Sequence, residues 1–122
     1  MHLTSSQLRY LFVLKEITDE RGQGAKIKLE DLSDTLKVSK PSVHRMMEVF
    51  KNLGILEEKR GIAGLTQFGA ETAEAYSKRY QLIDTYLKDQ VGVGESEADE
   101  LAISILGCSE ASVDAYIAKT AF

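Results

Sequence analysis

Residues 29–56 read LEDLSDTLKVSKPSVHRMMEVFKNLGIL, and no other stretch restricts the fold as much. Leu29, Leu32 and Leu36 recur at helical spacing, with Glu30 and Asp31 in the first turn, where the helix dipole favours acids. The pattern stops at Lys37 and Val38. Ser39 then offers a side-chain oxygen to a new helix start. Pro41, the only proline of the chain, falls in the first turn, where its missing N–H costs nothing. Val43, Met46, Met47, Phe50 and Leu53 give this next helix its buried stripe, and Gly54 supplies the left-handed residue that ends it. Two helices joined by so short a break, with apolar Val38 inside it, lock at a steep angle if their stripes share one core. The N-terminal half of the second helix is then left projecting.

The flanks complete a recognisable order. TSSQ at the N-terminus has capping-box spacing, Thr4 with Gln7, and Leu8, Leu11, Phe12, Leu14 and Ile17 follow as an apolar helix face. TDERGQGA, with two glycines in a polar run, reads as a loop. After Gly54, Ile55 and Leu56 begin a strand, Gly61 and Gly64 allow a tight turn, and Leu65 closes a return strand, which predicts a small β-hairpin. Thr66 caps a long helix over about residues 67–90, with Ala70, Ala73, Tyr76, Tyr80, Ile83 and Leu87 near one face. VGVGES breaks it. Ser96 is expected to cap a helix over about 97–106, and Ser109 a last one over about 110–119. Helix, short helix, turn, capped helix and hairpin are the winged helix-turn-helix order. The fold class expected is mainly α, with a winged helix-turn-helix domain over residues 1–66 and a long helix with a small helical domain over 67–122.

Charge carries the next step. Taken alone, the net charge of −4 argues against a nucleic-acid partner, but it is unevenly spread. Residues 37–79 hold eight Lys and Arg against five Asp and Glu, and residues 80–122 hold two against eight. A basic middle and an acidic last third predict two faces with different partners. No apolar run approaches the roughly 20 residues that span a bilayer. The N-terminus lacks an apolar signal core, and the single cysteine, Cys108, excludes an internal disulfide framework, so a reducing cytoplasm is expected. There is no P-loop, nucleotide-binding glycine fingerprint, HExxH or Ser/His/Asp arrangement, which leaves no basis for an enzyme.

The candidate interface is therefore the projecting helix start and the hairpin tip, with double-stranded DNA as partner. Lys37, Ser39, Lys40, Pro41, Ser42, His44 and Arg45 lie on the first, and Lys59 and Arg60 on the second. Arg45 is long enough to bond a guanine edge through two N–H groups. Ser39, Ser42 and the free amides of the helix start suit phosphate oxygens. Pro41 offers an apolar edge to a thymine methyl. Lys59 and Arg60 reach the flanking backbone or the minor groove. A charged outer helix face that is merely solvated is the competing account of the same residues.

The stretch LSDTLKVSKPSVHRMMEVFKNLGIL, followed by GLTQFGAETAEAYSKRYQLIDTYLKDQVGV, resembles the iron- and manganese-dependent, diphtheria-toxin-repressor-like regulators. The likeness extends over nearly the whole chain, and is to the short manganese-regulator form without an SH3-like domain. It implies a homodimer paired through C-terminal helices, an interface that would account for the apolar Leu101, Ile105, Val113 and Ile117, although core packing accounts for them equally well. It implies paired recognition helices on a near-palindromic operator, and repression when a divalent manganese or iron ion ties the first helix to the dimerisation region. The metal ligands do not carry over. Ser6 and Arg9 stand where carboxylates are expected, Tyr80 where a histidine is, and Ile103 and Ser104 where a Glu-His pair is. Only Glu100 and Asp84 match ligand positions, and Ser96 replaces the ancillary site's histidine. Arg9 is thus expected to stand in for the cation and pair with Glu100. Two further functions stay open: the same scaffold answering a small ligand or a redox event at Cys108, and a winged-helix module that binds protein and not DNA.

Overall fold

A computed structural model of the chain describes residues 2–22 and 24–108. In order, the elements are α1 (Ser5–Arg21), β1 (Ile27–Lys28), α2 (Leu29–Leu36), α3 (Lys40–Asn52), β2 (Leu56–Lys59), β3 (Ile62–Leu65), α4 (Gln67–Tyr86), a π-helical turn (Leu87–Val91) and α5 (Glu95–Leu106). The fold is mainly α, a winged helix-turn-helix followed by a helical part. Packing separates Tyr10–Glu74 from a second unit made of the residues up to Arg9 and those from Ala75 on. The division falls inside α1 and α4, whereas the sequence suggests one boundary between residues 66 and 67. A helix can change packing partners along its length without breaking, so this division leaves no local signal.

In the unit Tyr10–Glu74, α2 occupies the expected span, with Leu29 and Leu32 buried and Leu36 half-buried. Lys37 closes it in the left-handed region at φ 56°. The Val38 N–H donates to the Ser33 carbonyl at 3.2 Å, and the Ser33 hydroxyl donates to the Val38 carbonyl at 2.6 Å. The break between the helices is thus tied back onto α2. Ser39 caps α3 and accepts from the Ser42 N–H at 3.3 Å, with Pro41 in the first turn. Val43, Met47 and Phe50 are buried and Met46 half-buried. Leu53, expected on this stripe, is 37% exposed. The chain turns at Gly54 (φ 77°), and fully buried Ile55 takes the inward place instead.

The hairpin pairs Lys59 with Ile62, so its turn is Arg60 and Gly61, at φ 54° and 77°. Two positive φ values give the turn whose twist matches the flanking strands. Gly64 is not part of the turn as expected. It lies in β3 opposite Glu57, where a Cβ would come within 3.1 Å of the Ala25 carbonyl oxygen. The sheet also has a third strand, between the glycine loop and α2, where the sequence assigns no element. β1 pairs Ile27 with Ala63, giving the order β1-β3-β2, and the Leu29 N–H reaches the Gly61 carbonyl at 3.2 Å. A strand of two residues has no periodicity to display.

In the other unit, the expected capping box is present. The Thr4 N–H donates to Gln7 Oε1 at 2.9 Å, and the Gln7 N–H donates to Thr4 Oγ1 at 3.3 Å. Leu3, Ile83, Leu87, Ala98, Ala102, Ile103 and Leu106 are buried. The Leu3 N–H donates to the Tyr76 hydroxyl at 3.2 Å, and the Ser5 hydroxyl to the Ile103 carbonyl at 3.3 Å. The long helix ends in the π-helical turn, closed by Gly92 at φ 82°. α5 begins two residues before the expected start, with Gly94 and not Ser96 as its cap. A Cβ at Gly94 would run into the Glu97 carboxylate, and Glu95 and Glu97 put acids in the first turn, where the dipole favours them. The expected helix over 110–119, with Val113 and Ile117, lies outside the described residues. No helix among the described residues is long and apolar enough to cross a membrane.

Gly69 offers a direct check of this packing. Its missing Cβ would run into the Ile55 carbonyl group. Gly69→Ala should therefore cost about 2–3 kcal/mol in chemical denaturation despite alanine's better helix propensity. An unchanged midpoint would mean that α4 does not approach Ile55 this closely.

Candidate functional site

The cap at Ser39 determines what the N-terminal half of α3 presents. Its buried positions, Val43 and Met47, face the core, while Pro41 and Arg45 point away from them and Lys40 and His44 stand at the edge of the buried stripe; all four are exposed. Lys37 and Ser39 are exposed just before the helix, and Ser42 is half-buried. Ser42 Oγ lies 2.9 Å from Ser39 Oγ and accepts from the Arg45 guanidinium at 3.2 Å. The Arg45 charge also lies near Tyr10: burial raises that phenol's pKa, and the guanidinium partly offsets the rise.

The hairpin contributes Lys59 and Arg60, both exposed. Arg60 joins Lys40 and His44 at one cleft of about 440 Å³, whose walls also carry Val43, Leu29, Gly61 and Ile62. Lys28 and Glu30 line it as well. The sequence reading misses both, because Lys28 belongs to the unrecognised strand β1 and Glu30 is explained by the α2 dipole alone. Glu30 Oε1 lies 3.9 Å from Lys40 Nζ, and both side chains are well exposed. Arg45, Lys37 and Lys59 do not line the cleft. The cleft therefore gathers cationic groups from β1, α3 and the hairpin turn, with one carboxylate among them.

A second polar cluster belongs to the other unit. The Tyr80 hydroxyl on α4 donates to Asp99 Oδ1 on α5 at 2.5 Å. Asp99 Oδ2 lies 3.8 Å from the Arg9 guanidinium on α1, with both side chains nearly half exposed. Arg9 thus meets Asp99 and not Glu100, which is exposed. Helical geometry explains the correction: neighbouring residues on a helix point about 100° apart, so only one of the pair can face Tyr80 and Arg9. Burial first, then the bond to Asp99, raises the Tyr80 pKa well above the ordinary tyrosine value, so the phenol stays a donor. Asp84 is buried, with Oδ2 at 2.8 Å from Lys88 Nζ, and its Oδ1 has no hydrogen-bond partner. Ser6 and Ser104 are exposed, and Ile103 is buried. Among the described residues no three His, Cys, Asp or Glu side chains converge as a metal-binding group. Of the residues suggested for a dimer surface, Leu101 is 44% exposed and Ile105 half-buried. Cys108 is exposed, and its thiol lies 3.3 Å from the Ser104 carbonyl.

No family model and no curated protein matches the chain. Solved structures do. The manganese regulator SloR is 20% identical with a TM-score of 0.73, over 98% of this chain and 54% of its own. The metal-dependent transcriptional regulator MtsR is 21% identical with a TM-score of 0.75, over 93% of this chain and 51% of its own. IdeR of T. acidophilum is 23% identical with a TM-score of 0.67, over 94% of this chain and 54% of its own. This chain spans about half the length of each of the three. At these identities the likeness is one of fold.

Proposed function

We propose that this protein is a sequence-specific double-stranded-DNA-binding transcriptional regulator, acting as a repressor and as a homodimer. The observation that carries the reading is the exposed start of α3, with Lys40 and His44 sharing a cationic cleft with the hairpin residue Arg60. That combination suits a helix lying in the major groove while the wing meets the flanking backbone. Arg45 reads base edges. Lys37, Ser39, Lys40, Ser42, Lys59 and Arg60 hold phosphates, and Pro41 and His44 line the groove. Two copies set their recognition helices about one DNA turn apart, roughly 34 Å, on a near-palindromic site. Leu101 and Ile105 contribute to the contact between copies. In this reading the protein works in the cytoplasm, without catalytic activity.

The manganese or iron that the resemblance implies does not fit the residues present. Those ions favour several oxygen and imidazole donors. The candidate positions instead offer a guanidinium, a protonated phenol, the exposed carboxylate of Glu100, and the buried carboxylate of Asp84, which already has the Lys88 ammonium at 2.8 Å. The regulator in this reading works with a degenerate metal site.

Fluorescence anisotropy on duplexes selected from a random library tests the reading. Affinity should fall roughly 10³-fold between 50 and 200 mM salt, as expected for several phosphate contacts. Arg45→Ala should flatten the preference between selected and scrambled duplexes, at about 1–3 kcal/mol per lost base contact. Lys59→Ala should weaken both alike and reduce the salt slope by about 1. Glu30→Gln removes the one carboxylate in the cleft, so it should tighten binding a few-fold at low salt. Absence of salt-dependent duplex binding would leave a protein-interaction module as the better account.

A further inference from the structure

We propose that Arg9 and Lys88 serve as built-in cations for Asp99 and Asp84, tying α1 to α5 and the last turn of α4 to the π-helical turn at any divalent-metal concentration. The regulatory meaning rests on the reading above; the chemistry does not.

Asp99 is the centre of the arrangement, and both its oxygens are committed. Oδ1 accepts from Tyr80 on α4 at 2.5 Å, and Oδ2 faces the Arg9 guanidinium on α1 at 3.8 Å. One carboxylate thus links three helices, and the positive charge it needs is supplied by the chain. Asp84 repeats the arrangement along α4, with its Oδ2 2.8 Å from Lys88 Nζ. Its Oδ1 is the one buried side-chain oxygen without a hydrogen-bond partner among the described residues, so it is the one oxygen of this pair that a metal could still satisfy. A single oxygen is too few for manganese or ferrous iron, which take several oxygen or nitrogen donors. An ion entering there would also meet the Lys88 ammonium on the same carboxylate.

The exchange has a physical consequence. A bound metal leaves when its concentration falls, whereas a guanidinium cannot leave the chain. The tie between α1 and α5 then stops reporting metal and instead weakens with ionic strength, because the pair is half exposed.

Thermal melting of the full chain, without DNA, tests this. Adding near-stoichiometric manganese, anaerobic ferrous iron or zinc after chelator treatment should move the melting temperature by less than about 3 °C. A larger rise with any of them overturns the proposal. Arg9→Glu should lower the melting temperature at 50 mM salt, and by less than half as much in an Asp99→Asn background. Equal losses in the two backgrounds would show that Arg9 does not act through Asp99, and would also overturn it. Neither readout involves DNA, so a failure to bind duplexes would count against the regulator reading alone.

Discussion

The Thr66 side chain fixes the junction on which the winged unit depends. Its hydroxyl donates to the Gly54 carbonyl at 2.6 Å and accepts from the Gly69 N–H at 2.9 Å, while its own N–H reaches the Ile55 carbonyl at 3.0 Å. One residue thereby joins the end of α3, the approach to β2, the end of β3 and the start of α4. The Ile55 N–H closes the same knot on the Phe50 carbonyl at 2.9 Å. Ile55 is fully buried, and leaving its backbone groups unpaired there costs about 1–3 kcal/mol. The close approach of Gly69 to Ile55 follows from the same junction, because α4 can only start this near β2 if its first turn lacks a side chain.

The break between the two helices of the recognition unit is closed in a similar way, by small polar groups. Ser33 and Lys37 finish α2, and Ser39 starts α3. Between them the backbone has little freedom, so the buried stripe Val43, Met47 and Phe50 decides which side of α3 is left outward. A cap such as Ser39 contributes about 1 kcal/mol, little beside the core, yet it determines where the helix begins and hence which amides and side chains stand at its exposed end.

Features of this kind are legible in a sequence. Thr4, Ser39, Gly54, Gly61 and Thr66 each mark a helix or turn boundary by a local mechanism, and the structure has a boundary at each. The fold class and the exposed face of α3 follow from them. What escapes depends on distant partners. β1 exists because Ile27 lies against Ala63, and nothing within two residues announces that pairing. Leu53 fits the stripe by spacing, but Ile55 fills the inward place once Gly54 has turned the chain. Ser96 has the chemistry of a cap, yet Gly94 starts α5, which leaves Ser96 inside the first turn together with Glu95 and Glu97. Lys28 and Glu30 join the candidate interface only because β1 brings them beside the hairpin.

The step from Glu100 to Asp99 shows why a site is harder to read than a fold. An error of one residue in a helix hardly changes a core, since several positions tolerate inward placement, but it turns a charged group about 100° around the axis. Asp99 is the residue that meets Tyr80 and Arg9, and its two contacts are unequal. The Arg9 pair is 3.8 Å long between half-exposed side chains, a setting in which ion pairs contribute about 0–1 kcal/mol. The Tyr80 bond is shorter and partly buried, with a charged acceptor, and bonds of that type contribute more than neutral ones. Tyr80 therefore does most to hold Asp99 in place, and Arg9 supplies the charge that brings α1 to a carboxylate already held. Losing Tyr80 would free Asp99 to seek water, and Arg9 would then face a mobile partner; losing Arg9 would leave the α4–α5 bond standing. The two contacts are ordered in strength and in consequence, so a metal-like link between three helices is assembled here from one firm hydrogen bond and one weak ion pair.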